Sequence, residues 1–143
     1  RIRFDLLLHQ FILEAWEKKQ VNVFGANSWR PMVHVDDIAR AIVLTLTKNS
    51  NLKQKDVFNV GSNDQNFQKI TLAKMVADRF DVKISEVESK VDPRDYKVSF
   101  DKISSELNYN TLHKPVDAIE QIATSIESGL ITNEILHESV NVK

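Results

Sequence analysis

The chain has 143 residues, 42% hydrophobic and 27% charged, with a formal net charge of −1. That is the composition of a soluble globular domain or a part of one. A near-neutral charge without a basic run argues against a nucleic-acid surface, no apolar run is long enough to span a bilayer, and the absence of cysteine rules out disulfides and thiolate metal sites. The first residue is Arg1 rather than Met, nothing signal-like follows, and an amphipathic helix begins almost at once, as expected of a piece of a longer protein.

That helix is predicted over Asp5 to Gln20. Leu8, Phe11, Ile12, Ala15 and Trp16 recur at helical spacing, while Glu14, Glu17, Lys18 and Lys19 take the other face. Asp5 is the expected N-cap, and the all-apolar Leu6-Leu7-Leu8 is an end expected to be buried. His9 carries no catalytic signal. Val21 to Phe24 reads as a short buried strand, broken by Gly25-Ala26-Asn27-Ser28. Pro31 must open the next strand or sit on its edge, which makes Met32 to Val35 a second strand. His34, between Val33 and Val35, reads as a packed histidine rather than a ligand.

Asp36 stands where an N-cap belongs, before a helix running to Thr47. The Asp36-Asp37 pair has the look of a metal or acid/base dyad, but capping and a favourable helix dipole explain it more simply. Ile38, Ala39, Ala41, Ile42, Leu44 and Leu46 are more apolar than one stripe requires, so this helix is expected to pack on two sides. Arg30, beside Trp29 and just before Pro31, either pairs with a surface acid or offers its planar fork to a phosphate or carboxylate.

Asn49 to Lys55 is a polar connection, and Asp56 to Val60 reads as a buried strand ending in the turn Gly61-Ser62-Asn63-Asp64. Three glycines, Gly25, Gly61 and Gly129, are too far apart for any phosphate-binding glycine loop. Thr71 to Phe80 is a second amphipathic helix with Leu72, Met75, Val76 and Phe80 inward, and Val82 to Ile84 a short strand. Asp92 to Val98 is a charged loop and edge strand around Arg94 and Tyr96. Ser99 caps a short helix, Phe100 to Leu107. Pro115 opens the last clear helix, with Val116, Ile119, Ile122, Ala123 and Ile126 on one face and Gly129 as its stop; a polar tail follows to Lys143.

Trp29 to Ala41 (WRPMVHVDDIARA) resembles a signature of the extended short-chain dehydrogenases/reductases, the NAD-dependent nucleotide-sugar epimerases and dehydratases. The resemblance continues through Val57-Phe58-Asn59-Val60-Gly61-Ser62, the helix ending at Phe80, Asp92-Pro93-Arg94-Asp95-Tyr96, Phe100-Asp101-Lys102-Ile103 and Leu107-Asn108-Tyr109. It runs in order over nearly the whole chain, and it is to the family's C-terminal half alone.

The resemblance implies an α/β fold: the C-terminal part of a Rossmann-like sheet, with its last strands and the small substrate-binding lobe, over residues 1–143. It implies that the nucleotide-sugar diphosphate is held by Arg30 and Arg94, with Tyr96 closing over it and Leu6 beside it at a helix N-terminus. Asn22 and Phe24 would read the base through their main chain. Asn66 is either a further contact or a turn asparagine. The family's glycine-rich dinucleotide turn and Tyr-x-x-x-Lys pair are not in this sequence, since four residues after Tyr96 and Tyr109 stand Phe100 and His113. Catalytic, cofactor and metal residues are therefore not expected in this segment. NAD or NADP would belong to the full-length protein, a cytoplasmic homodimer joined through the other half. The alternative is a non-catalytic relative kept as a ligand sensor or interaction module.

Overall fold

The computed structural model describes residues 3–47, 56–87 and 94–132. Helix α1 (Leu7–Lys18) buries Leu8, Phe11, Ile12 and Ala15, the stripe its periodicity predicts. It starts two residues later than expected. Leu6, not Asp5, is its N-cap, because Asp5 is engaged by the Arg3 guanidinium at 3.0 Å. Leu6 is also exposed rather than buried. Lys19 ends the helix in the left-handed region, and β1 (Gln20–Phe24) turns back along it with Val21 and Val23 inward. Glu14 departs from the solvent face assigned to it. It is buried, and its Oε2 accepts the Asn22 amide at 3.0 Å, an acceptor that the doubled-back strand needs.

Strand β2 is Trp29–Pro31 rather than Met32 to Val35, with Pro31 as its last residue. It pairs antiparallel with β3 (Asn66–Gln68), Arg30 opposite Phe67. Helix α2 (Val35–Thr47) and helix α3 (Lys69–Phe80) lead to β4 (Lys83–Val87), which pairs in parallel with β1, Val21 opposite Ile84. Helices α4 (Asp101–Leu107) and α5 (Pro115–Glu127) complete the order. Pro115 opens α5 as predicted, and Asp117 Oδ2 accepts the Lys114 amide at 2.7 Å.

The main core lies where α1, α3 and α5 meet β1, joining Phe11, Ile12, Val23, Leu72, Val76, Ile119 and Ile122. Val116, expected on that face of α5, is half-exposed instead. A smaller core joins Ala41 of α2 to Phe100, Ile103, Leu107 and Tyr109, with Phe58 and Val60 against it. The expected buried strand Asp56 to Val60 is not formed: these residues pair with no strand among the described residues, and Val57 is exposed.

Among the described residues helix α2 packs on one side and not the two its composition suggests. Only Asp37 and Ala41 are buried, while Val43 is 60% and Leu46 71% exposed. Among the described residues only one of its faces meets a core. Residues 94–98 form a strap without strand pairing, and Asn49 to Lys55, Asp92, Pro93 and the tail after Thr132 lie outside the described residues.

Candidate functional site

The loop after β1 and the 94–97 strap converge on β2. Arg30 Nη1 donates to the Trp29 carbonyl at 2.7 Å and to the Arg94 carbonyl, and its guanidinium carbon lies 5.9 Å from the centre of the Tyr96 ring. Two carbonyl acceptors on one nitrogen, with a ring alongside, fix the plane of the guanidinium. The strap is tied down from its other side. Asp95 Oδ1 accepts the Trp29 amide at 2.7 Å, the Tyr96 amide reaches the Trp29 carbonyl at 3.5 Å, and the Lys97 ammonium sits 3.6 Å from the Trp29 ring centre. The result gathers the cations of Arg30, Arg94 and Lys97 on one ribbon, with Asp95 turned onto the backbone. An anion with several oxygens suits such a fork.

Asn66 stands at the junction of the 63–65 turn and β3, and its Nδ2 donates to the Asn63 carbonyl at 3.1 Å. It opens β3, and its amide side chain acts like a strand neighbour: Oδ1 accepts the Val98 amide at 2.9 Å and Nδ2 donates to the Val98 carbonyl at 3.0 Å. It thereby sets where the strap begins its return.

The remaining predicted residues have other settings. Leu6 caps α1 without a side-chain hydrogen bond, so the first-turn amides of α1 are not covered by its side chain. Asn22 and Phe24 share the face of β1 opposite the buried Val21 and Val23, and Phe24 is half-exposed. The Asn22 amide, half of the main-chain contact expected there, is already donated to Glu14.

The Asp36-Asp37 pair divides its labour differently from the sequence expectation. His34 occupies the capping position of α2, with Nδ1 accepting the Asp36 amide at 3.2 Å. Asp37 is fully buried and accepts the amides of Leu112 at 2.9 Å and His113 at 3.0 Å and the Arg40 guanidinium at 2.7 Å. Burial alone would push its carboxyl up, but those two amides and then Arg40 outweigh it and hold the group below the ordinary aspartate value. Tyr109 donates its hydroxyl to the Asp37 carbonyl at 2.8 Å, and burial, then the Asp37 charge, push its phenol up. That phenol ties the start of α2 to the segment after α4. Asp95, Lys97 and His113 were invisible as partners in the sequence. Asp95 at least stands inside the Asp92 to Tyr96 motif.

A model of the NAD dependent epimerase/dehydratase family matches residues 5–61. No curated protein matches the chain. Among solved structures, the UDP-glucuronic acid 4-epimerase of Bacillus cereus, in complex with UDP-glucuronic acid and NAD, superposes with a TM-score of 0.74 at 22% identity over 90% of this chain and 41% of its own. The dTDP-glucose 4,6-dehydratase of Streptomyces venezuelae, with NAD and TYD bound, gives 0.73 at 18% identity over 93% and 42%. The protein RMD of Pseudomonas aeruginosa, complexed with NADPH, gives 0.73 at 16% identity over 88% and 44%. The chain thus spans about two fifths of the length of these structures. No described helix is long and apolar enough to cross a membrane. The chain has the Rossmann-like α/β fold of one part of the extended short-chain dehydrogenases/reductases, and its residues 5–61 carry the sequence pattern of the NAD dependent epimerase/dehydratase family.

Proposed function

We propose that this chain is the C-terminal, nucleotide-sugar-binding part of a longer NAD(P)-dependent epimerase or dehydratase. The observation that carries this reading is Arg30, held in plane by the Trp29 and Arg94 carbonyls beside Tyr96. In this reading Arg30 and Arg94 hold the diphosphate and Tyr96 closes over it. Leu6 lies beside it at the start of α1, while Asn22, through its carbonyl, and Phe24 meet the base. Remote binding of the nucleotide orients the sugar for hydride transfer at a nicotinamide held by the other half. That half would also bring the Tyr-x-x-x-Lys pair, so residues 1–143 alone would bind no NAD and turn over no substrate. The exposed apolar face of α2, with Val35, Ile42, Val43 and Leu46, supports a second half packing there. A cytoplasmic homodimer, joined through that half, fits the same reading.

The test is Arg30→Ala in the full-length protein. A charge-assisted contact of this kind contributes about 1.5–3 kcal/mol, so nucleotide-sugar affinity should fall roughly 10- to 100-fold. NAD affinity should stay within about twofold, because no part of the cofactor site is touched. Unchanged sugar-nucleotide affinity by calorimetry would remove Arg30 from this role.

A further inference from the structure

His34 and His113, brought together from the starts of α2 and α5, form a second constellation that the anion site does not use. Their rings stack with centroids 4.3 Å apart and planes inclined by 31°. Asp36 Oδ2 lies 3.7 Å from His34 Nδ1 and 4.0 Å from His113 Nε2. One ligand atom from each of the three residues lies within 4.8 Å of the other two. Two ligands on a first-row ion, each at about 2.1 Å, sit roughly 3.0–3.4 Å apart. The stacked rings do not yet converge, so ligation requires both the exposed Asp36 side chain and the partly exposed His113 ring to turn onto the ion, while His34 stays fixed.

The tautomer of His34 is set by its surroundings. Nδ1 accepts the Asp36 amide at 3.2 Å and so carries no proton, which leaves Nε2–H to donate to Gln121 Oε1 at 3.0 Å. A histidine fixed by an oxygen acceptor at one nitrogen, with a lone pair at the other, is the state in which proteins hold metal-ligating imidazoles. The His34 side chain is 9% exposed and that of Asp36 65%, so the site is walled at the back and open to water at the front. Beyond it runs a surface cleft lined by His113, Asp117, Glu120, Gln121, Thr124 and Ser125, in which Glu120 is paired with Arg79 and Asp117 Oδ2 accepts the Lys114 amide. Lys114, next to His113 in the chain, is paired with Asp64.

We propose that His34, Asp36 and His113 form a binding site for a divalent transition metal of the Zn2+ class. Two imidazoles and one carboxylate suit Zn2+, Co2+ or Ni2+, whereas Mg2+ and Ca2+ require all-oxygen shells. The ion takes the His34 lone pair from the Asp36 amide, which turns to water in the first turn of α2. It fastens the start of α2 to the turn before α5, with open positions left for solvent. Gln121 is a positioning residue, acting through His34. The proposal invokes neither a nucleotide nor NAD, so its test is independent of the function proposed above.

The chain is stripped with chelator and titrated with Zn2+ by calorimetry and with Co2+ by visible absorption at pH 7.5. One equivalent should bind, Zn2+ should raise the Tm, and Mg2+ at the same concentration should not. His113→Ala and Asp36→Asn alter exposed or half-exposed side chains and should each weaken Zn2+ binding at least about tenfold, and Gln121→Leu about 10- to 100-fold. His9→Ala and His137→Ala should change nothing. Circular dichroism identifies any variant that fails to fold, and Asp36→Asn then decides in place of His113→Ala. Absence of stoichiometric binding, or binding undiminished in both ligand variants, would overturn the proposal.

Discussion

Asp37→Asn should lower unfolding free energy by about 2–3 kcal/mol at pH 7, read from urea denaturation with an unchanged m-value. The carboxylate is fully buried and uses both oxygens: Oδ1 takes the Leu112 amide and Arg40, and Oδ2 takes the His113 amide. Asparagine offers one acceptor oxygen and one NH2. Whichever way its amide is turned, a backbone N–H is left facing another donor inside the protein. Arg40, nearly half exposed, can recover water, so the loss of its ion pair adds little. The pH dependence follows from the depressed carboxyl. Its contribution is complete above the ordinary aspartate range of about 4 and is lost as pH falls through the lower, folded value. The gap between parent and variant should therefore be constant near neutrality and shrink in acid. Asp64, Asp101 and Glu120 are also held low, by Lys114, Ser99 and Arg79 respectively, and they remain in both proteins. The difference, not the absolute acid sensitivity, is the readout. A gap that stays open to the lowest pH would mean that Asp37 is not ionised in the fold.

Asp37 also shows which features the sequence displays and which it hides. The buried stripes of α1, α3 and α5 were legible because helical periodicity is a local property, and Pro115 marked its helix for the same reason. Arg30 and Arg94 stood out through the family pattern, and the structure does bring the two segments together. What stayed hidden depends on partners far along the chain. Nothing near Asp37 announces the amides of Leu112 and His113, so the exposed Asp36 looked like the better cap. Glu14 was assigned to solvent by its spacing, because the Asn22 amide that captures it leaves no side-chain mark. The apolar run Asp56 to Val60 carries the composition of a strand, but pairing needs a neighbour, and none lies among the described residues. The same holds for the outer face of α2, whose hydrophobicity promised a second contact. His34 and His113 each looked ordinary alone; only the fold stacks them.

Gly61→Ala should cost still more, about 2–4 kcal/mol, combining backbone strain with overpacking. Gly61 has φ +156°, and a Cβ there would lie 2.6 Å from Phe100 Cε1 and 2.7 Å from Cζ. The ring has little room to retreat: Phe100 is 5% exposed and belongs to the smaller core with Ile103, Leu107 and Tyr109. Its backbone is pinned as well, since the Phe100 amide donates to Asn63 Oδ1 at 2.9 Å. Gly129→Ala provides the comparison. Gly129 has φ +74° but nothing within 4 Å of the added carbon, so strain alone should cost about 1 kcal/mol. Phe100→Leu opens space at the contact, and Gly61→Ala in that background should lose clearly less than in the parent, a coupling of about 1 kcal/mol or more. Additive losses would locate the penalty in the Gly61 backbone instead of the ring. The consequence reaches the proposed anion site, because Asn63 and Asn66, at the two ends of one turn, hold Phe100 and Val98 at the end of the 94–98 strap. A turn displaced by the new methyl group shifts the strap that orients Arg30. If the proposed function holds, Gly61→Ala should therefore weaken nucleotide-sugar binding in the full-length protein, and Gly129→Ala, at a left-handed position remote from the strap, should not.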